Sequence, residues 1–552
     1  MPRGHELIAE TIAREGVRTV FSLPDGFLLP IYEELEKRNV NVITMRNEFS
    51  AAQAAEGWAR FNRGLGVVMA PVGPGGVYLL PGLVQAMHSG SPVLAIAGRT
   101  PIKNLDRMAF EELNLSNLAA NMVKYARTCI SARHLARCLG DAVRTALSGR
   151  MGPVLLEIPR DIALDECDCD IEVGDGWRTT RRIFADPGLV KKAGELLERS
   201  SKPVMILGSG AYWSDACSEA LRLARKAGIP VLTTGFAVGC IPYDDPHYVG
   251  HAALGIPGST PDLLLTIGTR WDEFLGFGSN PQLYPEGIPS IHVDIDPRVV
   301  GKNRRAEVAI WADAKSFLSQ LYRTIRRGSE ARKKWVQIAR NTFDEIQEMS
   351  DQVATPGDPV KPQYLVKTLR EAFSKSTQYI LDGGDTTGWG YMYLRAYYPG
   401  QVMWAHGPLG GIGAGIPVSI AAQVANPHRR TVLLTGDGSF LIGAHEIETA
   451  ARYCLPVTIV IADDTAWGDV YHNWLVTGGN EELAKYALLQ YRDYSKLAES
   501  LGAQGFQVED SKSLKKTLAR IARSKDCQPK VIHVKISQKE TGLLNQVLLR
   551  ER

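Results

Sequence analysis

The chain has 552 residues, with 63 basic and 60 acidic side chains and a formal net charge of +3 at pH 7. Apolar residues make up 45% of the sequence and charged residues 22%, which excludes a disordered or fibrous protein. The near balance of charge gives no reason to expect nucleic acid or an anionic membrane as a partner. Since one hydrophobic core does not organise a chain of this length, we expect about three to four domains.

The first residues, MPRGHELIAETIAREGV, have the apolar spacing of an amphipathic helix with charges throughout, unlike a secretory signal or a membrane anchor. No apolar run reaches the roughly 18 to 20 residues of a transmembrane helix. The eight cysteines are scattered, and only Cys167 and Cys169 are close, without a second pair at zinc-like spacing. We therefore expect reduced thiols in a cytoplasmic protein that binds no membrane.

Short apolar runs typical of β-strands alternate with helical patterns along the chain. In order, these runs are VRTVFSL, NVITM, GVVMAPV, PVLAIAG, PVLLEIP, PVMILGSG, IPVLTTG, DLLLTIG, IHVDIDP, QYILDGG, TVLLTGDG, PVTIVIA and KVIHVKI. Several are apolar on both faces, as parallel strands covered by helices on either side would be. The pattern predicts an α/β fold made of several doubly wound units.

Two turn-rich stretches read as linkers, residues 171–187 and the proline-rich residues 354–362. They divide the chain into three blocks of similar size. We therefore predict three doubly wound parallel-sheet domains, at residues 1–170, 188–350 and 360–552.

Acidic residues follow two neighbouring strands of the predicted C-terminal domain. One strand ends at Gly436-Asp437-Gly438 and the next at Asp463-Asp464, with the helical pattern IGAHEIETAARY between them. Because the carboxyl ends of parallel strands lie at one edge of a sheet, Asp437 and Asp464 are expected to converge. Such carboxylates suit Mg²⁺, which keeps phosphate oxygens among its ligands. The N–H groups of Gly438 and Ser439 can meet that phosphate, although a plain turn capped by Asp437 is the alternative.

This arrangement resembles the thiamine-diphosphate-binding motif of thiamine-diphosphate-dependent enzymes. The resemblance implies that Asp437, Asp464 and the backbone carbonyl of Ala466 hold the Mg²⁺ that binds the cofactor's diphosphate, with Gly468 at the cofactor. Asp464 stands where the family usually has Asn. A second carboxylate binds Mg²⁺ well, but it adds negative charge beside a diphosphate.

Three N-terminal segments, residues 20–35, 43–60 and 66–101, resemble in order and spacing the pyrimidine-binding domain of acetolactate-synthase-like enzymes. In that family a glutamate after the second strand hydrogen-bonds the aminopyrimidine, which removes the thiazolium C2 proton. The resemblance assigns this role to Glu48, which by itself would read as a surface residue capping a helix. Asp25 and His88, expected on loops or strand ends at the same edge, are candidates for proton transfer. The alternative for Asp25 is a turn-forming role in Pro-Asp-Gly.

Further segments extend the resemblance over nearly the whole chain. Residues 406–422, HGPLGGIGAGIPVSIAA, match a stretch that places an apolar residue under the cofactor, and residues 382–389, DGGDTTGW, match a strand end at the diphosphate side. The cofactor-binding candidates from these two stretches are Gly410, Ile412, Gly384, Asp385 and Thr386. In the middle block, ILGSGA, IGTRWDEF and HVDIDP resemble segments that bind FAD or ADP in some members, so a bound nucleotide is left open.

The resemblance implies a homodimer or homotetramer in which Glu48 of one subunit faces Asp437 of another. It implies an enzyme that makes or breaks a carbon–carbon bond beside the carbonyl of a 2-oxo acid, acyloin or 2-hydroxyacyl thioester. Asp25, Tyr78, Glu111 and the DGGDTT stretch replace residues of the acetolactate synthases and argue against plain acetolactate synthesis, which remains the alternative. Alternatives of other classes are a non-catalytic relative and a flavin- or NAD-dependent oxidoreductase.

Overall fold

The structure is a computed structural model that describes residues 1–174, 176–179, 181–256 and 258–540. In its N-terminal domain, six parallel strands form one sheet. The strands are β1 Thr19–Ser22, β2 Asn41–Thr44, β3 Gly66–Ala70, β4 Val93–Arg99, β5 Tyr125–Thr128 and β6 Val154–Pro159. The helices are α1 Gly4–Arg14, α2 Leu29–Lys37, α3 Glu48–Asn62, α4 Pro74–Ser89, α5 Leu115–Ala119, α6 Leu135–Leu147 and α7 Arg160–Leu164. The strand order is β2-β1-β3-β4-β6-β5.

The central domain has its own six-stranded parallel sheet. Its strands are β7 Pro203–Leu207, β8 Val231–Thr233, β9 Tyr248–His251, β10 Leu263–Ile267, β11 Ser290–Asp294 and β12 Val308–Trp311. Its helices are α8 Pro187–Arg199, α9 Ser209–Trp213, α10 Cys217–Ala227, α11 Ala314–Thr324 and α12 Glu330–Val353. The order β9-β8-β7-β10-β11-β12 is that of dinucleotide-binding sheets, with the direction of winding reversing between β7 and β10.

The C-terminal domain repeats the strand order of the N-terminal domain, as β14-β13-β15-β16-β18-β17. Its strands are β13 Gln378–Asp382, β14 Val402–Trp404, β15 Thr431–Gly436, β16 Thr458–Asp463, β17 Gln504–Val508 and β18 Lys530–Lys535. Its helices are α13 Pro362–Ala372, α14 Gly384–Tyr393, α15 Gly415–Ala425, α16 Asp437–Gly443, α17 Glu446–Arg452, α18 Gly468–Val476, α19 Glu481–Ala484, α20 Tyr494–Ser500 and α21 Ser511–Arg523. The predicted fold class, three doubly wound parallel-sheet domains, is confirmed.

Each sheet is buried on both faces because alternate side chains of a strand enter different cores. In β3, Val68 and Ala70 belong to one buried cluster, whereas Val67 and Met69 belong to another. This explains why the central strands read as continuous apolar runs. No helix in the described part of the chain combines the length and apolarity needed to cross a membrane.

A buried ion pair fixes the N-terminal domain to the C-terminal domain. Arg60 and Glu56, four residues apart on α3, are both fully buried and form a salt bridge. The Arg60 guanidinium also donates at 2.9 Å to the carbonyl oxygens of Trp404 and Ala405, just beyond β14. Separating the two domains would take these two carbonyl acceptors away from a buried guanidinium. The contact therefore favours this arrangement of the two domains.

Two sequence-based expectations need correction. Cys217 and Cys240 form a disulfide with their Cα atoms 4.7 Å apart, so reduced thiols were the wrong expectation for these two residues. Their separation of 23 positions gave no signal, because only the tertiary fold brings the start of α10 against the loop after β8. The predicted helix IGAHEIETAARY is two helices, α16 and α17. The break falls where His445 Nε2 lies 2.6 Å from the Asn47 side chain of the N-terminal domain.

Candidate active site

The loops after three adjacent strands converge at the carboxyl edge of the C-terminal sheet. Strand order reverses between β13 and β15, and ligands of doubly wound folds bind at such a point. Gly436 of β15 pairs in register with Ala462 of β16, so the next residues, Asp437 and Asp463, lie side by side. Asp464 follows directly. The register therefore brings three carboxylates together.

Asp437 is buried at this point, with 2% of its surface exposed. Its Oδ2 is buried and has no hydrogen-bonding partner among the described residues. Burial, together with the charges of Asp463 and Asp464, raises the pKa of Asp437 to about 9. A buried carboxylate with an orphan oxygen and negative neighbours fits a cation, which would relieve both the missing contact and the repulsion.

Asp463 and Asp464 are adjacent in sequence but have different surroundings. Asp463 accepts hydrogen bonds at both oxygens, from His533 Nε2 at 2.6 Å and from the Thr465 N–H at 2.8 Å. Asp464 accepts the Ala466 N–H at 3.2 Å and faces the cavity described below. Burial raises the pKa of Asp464 to about 6, and the charge of His472 opposes that rise.

A fourth acid and a histidine connect the loops around the same point. Asp385, in the first turn of α14, accepts from His472 Nδ1 at 2.6 Å, and His472 Nε2 donates to the Gln538 carbonyl at 2.7 Å. Both ring nitrogens face acceptors, so the geometry favours the doubly protonated imidazolium. Burial by itself would lower the pKa of His472, but the hydrogen bond to Asp385 and its charge raise it. Gln538 in turn donates from Nε2 to the Asp464 carbonyl at 2.9 Å.

Asp382 holds the glycine-rich segment that carries Ile412. This buried carboxylate, at the end of β13, accepts the N–H groups of Gly413 at 3.1 Å and Gly415 at 2.9 Å. Gly413 has φ +91°, and a Cβ there would lie 2.4 Å from Ile442, so only glycine fits. The bends at Gly413 and Gly410, both at positive φ, present Ile412 to the cavity.

These loops form one wall of a cavity of about 970 Å³ between the three domains. All of the site residues predicted in the C-terminal domain line it: Gly384, Asp385, Thr386, Gly410, Ile412, Asp437, Gly438, Ser439, Asp464, Ala466 and Gly468. The opposite wall comes from the central domain, at Ser209 and Gly210 after β7 and at Thr269 and Arg270 after β10. The residues predicted from the sequence thus come from four loops, after β13, β14, β15 and β16, and lie on one wall.

Glu48 and Asp25 lie elsewhere, at the carboxyl edge of the N-terminal sheet. Glu48 begins α3 and is 5% exposed, and burial raises its pKa. A Cβ on Gly75 would approach its Oε1 to 2.8 Å, so the absence of a side chain there makes room for the carboxyl group. Asp25 accepts the Phe27 and Val72 N–H groups at 3.3 and 3.4 Å. Neither acid lines the cavity that contains Asp437.

The predicted position of His88 was wrong. It lies in the last turn of α4, not on a loop or strand end at the Glu48 edge. A crossover helix returns the chain to the amino end of the next strand, so His88 is at the opposite edge of the sheet from Glu48. There it is exposed to the large cavity, where partial desolvation and the charges of Arg270 and Arg150 lower its pKa.

Four polar residues of this site were not singled out from the sequence: Asp382, His472, His533 and Gln538. Asp382 could have been found, because it ends an apolar strand in the same way as Asp437. His533 lies inside a strand, and His472 lies on a helix with no distinctive neighbours. Their roles depend on pairing between β16 and β18 and on the packing of α18, which the sequence does not display.

The fold and these loops define a class that comparison with known families identifies. Three family profiles match the chain in order. They are the N-terminal TPP binding domain of thiamine pyrophosphate enzymes at residues 2–118, the central domain at 190–321, and the C-terminal TPP binding domain at 382–534. The chain belongs to the thiamine pyrophosphate enzyme family. It is a thiamine-diphosphate-dependent enzyme that forms or cleaves carbon–carbon bonds.

Relatives in this family match almost the full chain. The "Probable acetolactate synthase large subunit" of Methanocaldococcus jannaschii is 32% identical over 538 residues, covering 94% of this chain and 89% of that protein. The "Acetolactate synthase isozyme 2 large subunit" of Escherichia coli is 29% identical over 547 residues, covering 97% and 96%. The large subunit from Cyanidium caldarium is 28% identical, covering 98% and 97%. The acetolactate-synthase-like resemblance is therefore confirmed.

Proposed function

We propose that the enzyme uses Mg²⁺ with thiamine diphosphate, bound at Asp437, Asp464 and the Ala466 carbonyl. The observation that carries this proposal is the buried, unpartnered Oδ2 of Asp437 beside a second cavity-lining carboxylate. Within the described residues, no group of three or more His, Cys, Asp or Glu side chains is arranged to hold a metal. Two carboxylates and a carbonyl leave coordination positions for diphosphate oxygens, which is how Mg²⁺ sites with phosphate ligands are commonly built.

The chain's own residues hold and orient the cofactor. Thiamine diphosphate, when bound, supplies a carbon nucleophile that also accepts electrons as the bond breaks. Gly384, Gly438 and Ser439 line the cavity and would offer backbone N–H groups to its diphosphate, and Ile412 would supply an apolar contact. Glu48, whose pKa is raised by burial, would hydrogen-bond the pyrimidine end.

We assign the complete active site to two subunits, in a homodimer or a tetramer of such dimers. Glu48 does not line the cavity that contains Asp437, so the two ends of the cofactor are served by different edges. Both edges expose large apolar side chains: Leu29, Tyr78, Met108 and Phe110 on the N-terminal domain, and Leu441, Ile442, Val470 and Trp474 on the C-terminal domain. Apolar surface of this kind favours association with a second copy, which would bring Glu48 to the partner's cofactor.

The substrate we propose is a 2-oxo acid, an acyloin or a 2-hydroxyacyl thioester. Asp25 and Glu111 add negative charge at the N-terminal edge, which disfavours a simple pair of small 2-oxo acids. The second candidate is acetolactate synthesis, favoured by the names of the relatives at 27 to 32% identity. Condensation of pyruvate is therefore the first reaction to assay, followed by cleavage of acyloins and thioesters.

The central wall of the cavity fits a nucleotide, and we keep FAD or ADP as its proposed occupant. Gly208 and Gly268 lie at the point where strand order reverses, and a Cβ on Gly208 would fall 2.2 Å from Thr269. The backbone of the two loops is therefore closely packed, as in dinucleotide-binding folds. Arg150, Arg182 and Arg270 line the same region and suit phosphates. A flavin would be visible by absorbance, and its presence without thiamine diphosphate would favour the oxidoreductase alternative.

We further propose domain boundaries at residues 1–170, 188–350 and 360–552, which enclose the three sheets, although residues 541–552 lie outside the described residues. A cytoplasmic location stays a prediction from the sequence.

The test is mass spectrometry of small molecules released on denaturing the purified protein. Samples are incubated with thiamine diphosphate, with and without Mg²⁺, and desalted first. Retention of thiamine diphosphate that requires Mg²⁺ supports the proposal, and retention without Mg²⁺ would remove the metal site. No retention under either condition would contradict the cofactor assignment. Asp437→Ala should lose the Mg²⁺-dependent retention, and Glu371→Ala, a change at an exposed acid of the same domain, should keep it.

A further inference from the structure

We propose that His533 is a positioning residue that decides which of two adjacent acids, Asp463 or Asp464, is presented to the metal. This inference rests on the proposed Mg²⁺ and thiamine diphosphate site. It concerns a residue on β18, outside the loops that line the cavity.

The two acids start from almost equivalent positions. Asp463 ends β16 and lies beside Asp437 in the strand register, and Asp464 is the next residue. Judged by register alone, Asp463 is the better placed to share a cation with Asp437. A carboxylate left uncommitted at that position would compete with Asp464 for the metal.

Both carboxylate oxygens of Asp463 accept hydrogen bonds, one from His533 and one from the backbone. The Asp463 side chain is 1% exposed, and its Oδ2 accepts from His533 Nε2 at 2.6 Å while its Oδ1 accepts the Thr465 N–H at 2.8 Å. Both oxygens are therefore engaged, and Asp463 does not line the cavity, although its carboxyl group is close enough to Asp437 to help raise the pKa of that acid. The same contacts close the turn that carries the Ala466 carbonyl.

The His533 ring is itself held in place by packing. It stacks on Tyr491, with ring centroids 5.5 Å apart and ring planes at 21°. The centroid of the Tyr494 ring lies 5.0 Å from that of His533. The ring is 1% exposed, and its Nδ1 has no hydrogen-bonding partner among the described residues. Its single polar contact is therefore to Asp463. Such outer contacts commonly change metal affinity by about 10- to 100-fold when they are removed.

The decisive experiment is calorimetric titration of Mg²⁺ into the full-length protein with saturating thiamine diphosphate. We expect His533→Phe to weaken Mg²⁺ binding by about tenfold or more, because the phenyl ring keeps the stacking and removes the donor. His533→Gln, which restores an N–H donor, should bind within about threefold of wild type. His428→Phe, at an exposed histidine of the same domain, is the matched control and should have no effect.

A double-mutant cycle tests whether His533 acts through Asp463. In an Asp463→Asn background the amide no longer competes for the cation, so we expect His533→Phe to cause no further loss of affinity. Equal losses in both backgrounds would overturn the proposal, and so would wild-type affinity in His533→Phe. If His533→Phe does not fold, a tenfold loss in His533→Gln overturns it as well. Absence of Mg²⁺-dependent binding in the wild type would instead contradict the proposed function itself.

Discussion

The N-terminal and C-terminal domains have the same strand order but different chemistry at their carboxyl edges. Both sheets run 2-1-3-4-6-5 when their strands are numbered within the domain. At the N-terminal edge, Glu48 is buried, and burial disfavours its charged form and raises its pKa. At the C-terminal edge, Asp437 is buried among other carboxylates, and their charges add to the effect of burial. The two edges thus raise the pKa of a carboxyl group for different reasons, by burial at Glu48 and by burial with neighbouring negative charges at Asp437.

A carboxyl group with a raised pKa can therefore serve two different functions. An isolated buried acid is suited to donate a hydrogen bond as a neutral group. A crowded buried acid is suited to bind a cation, which removes the repulsion that raised its pKa. The function of each edge therefore depends on its neighbours rather than on the topology that the two domains share.

The largest effect is expected from Asp437→Ala, which removes the buried carboxylate at the C-terminal edge. We expect retention of thiamine diphosphate to fall by more than about 100-fold, because the proposed metal loses a buried carboxylate ligand. Calorimetric binding with Mg²⁺ present measures this loss. Glu371→Ala should bind as the wild type does, and unchanged binding in Asp437→Ala would show that the two edges do not differ as described.

Glu48→Gln should produce the opposite combination of effects. The amide keeps the size of the side chain but cannot share a proton, so we expect cofactor binding within about threefold of wild type. Exchange of the thiazolium C2 proton with deuterium should slow by about 10²- to 10⁴-fold, the usual contribution of a positioned acid or base. Nuclear magnetic resonance after acid quench measures the exchange rate. Glu36→Gln, at an exposed acid of the same domain, is the control; an exchange rate near wild type in Glu48→Gln would contradict the assignment.

A smaller catalytic effect is expected from Asp382→Asn. Its carboxylate accepts two backbone N–H groups, and the amide accepts fewer and introduces a donor against them. We expect kcat to fall by about tenfold as Ile412 loses its fixed position, with cofactor retention little changed. Steady-state kinetics and binding on the same preparation separate the two quantities. A loss of binding with kcat preserved would assign Asp382 to the metal side of the edge.

The last effect concerns the stability of the central domain rather than catalysis or cofactor binding. His251 Nδ1 accepts the Ala253 N–H at 3.2 Å, and burial lowers the pKa of His251 to about 4. A folded-state pKa below the ordinary value near 6.5 means that its stabilising contribution is complete above about pH 6.5 and is lost as pH falls towards 4. At pH 5 the loss should be about 2 kcal/mol. Differential scanning calorimetry at pH 7.5 and 5 should show a smaller acid-induced drop in Tm for His251→Phe than for wild type. Equal drops would contradict the neutral histidine.

The sequence predicts strands in the interior of the sheets better than strands at their edges. Every apolar run identified from the sequence becomes a strand. The strands that were missed, β5, β9, β12, β14 and β17, all lie at the edge of a sheet. An edge strand has only one neighbour and is often partly exposed, as in the alternating burial of β12, so it lacks the continuous apolar signal of a central strand.

Site residues could be predicted from the sequence where the geometry of strand ends determines their positions. Asp437 and Asp464 were predicted to converge because strand ends in a parallel sheet have a fixed geometry. His88 was misplaced because it was expected on a loop or strand end, whereas it lies in the last turn of a helix that returns the chain to the amino edge of the sheet. His533 and its contact with Asp463 depend on the register between non-consecutive strands, β16 and β18, which no local pattern specifies.

The central claim is that Glu48 and Asp437 act together only across two subunits, and mixed oligomers test it most directly. Glu48→Gln and Asp437→Ala chains would be co-expressed in equal amounts, and C2 proton exchange would be measured with Mg²⁺ and thiamine diphosphate. If the site forms across subunits, random pairing restores about one quarter of the wild-type sites, although each variant by itself is inactive. If both acids act within one chain, no site in the mixture is complete, and exchange at the background rate would contradict the account.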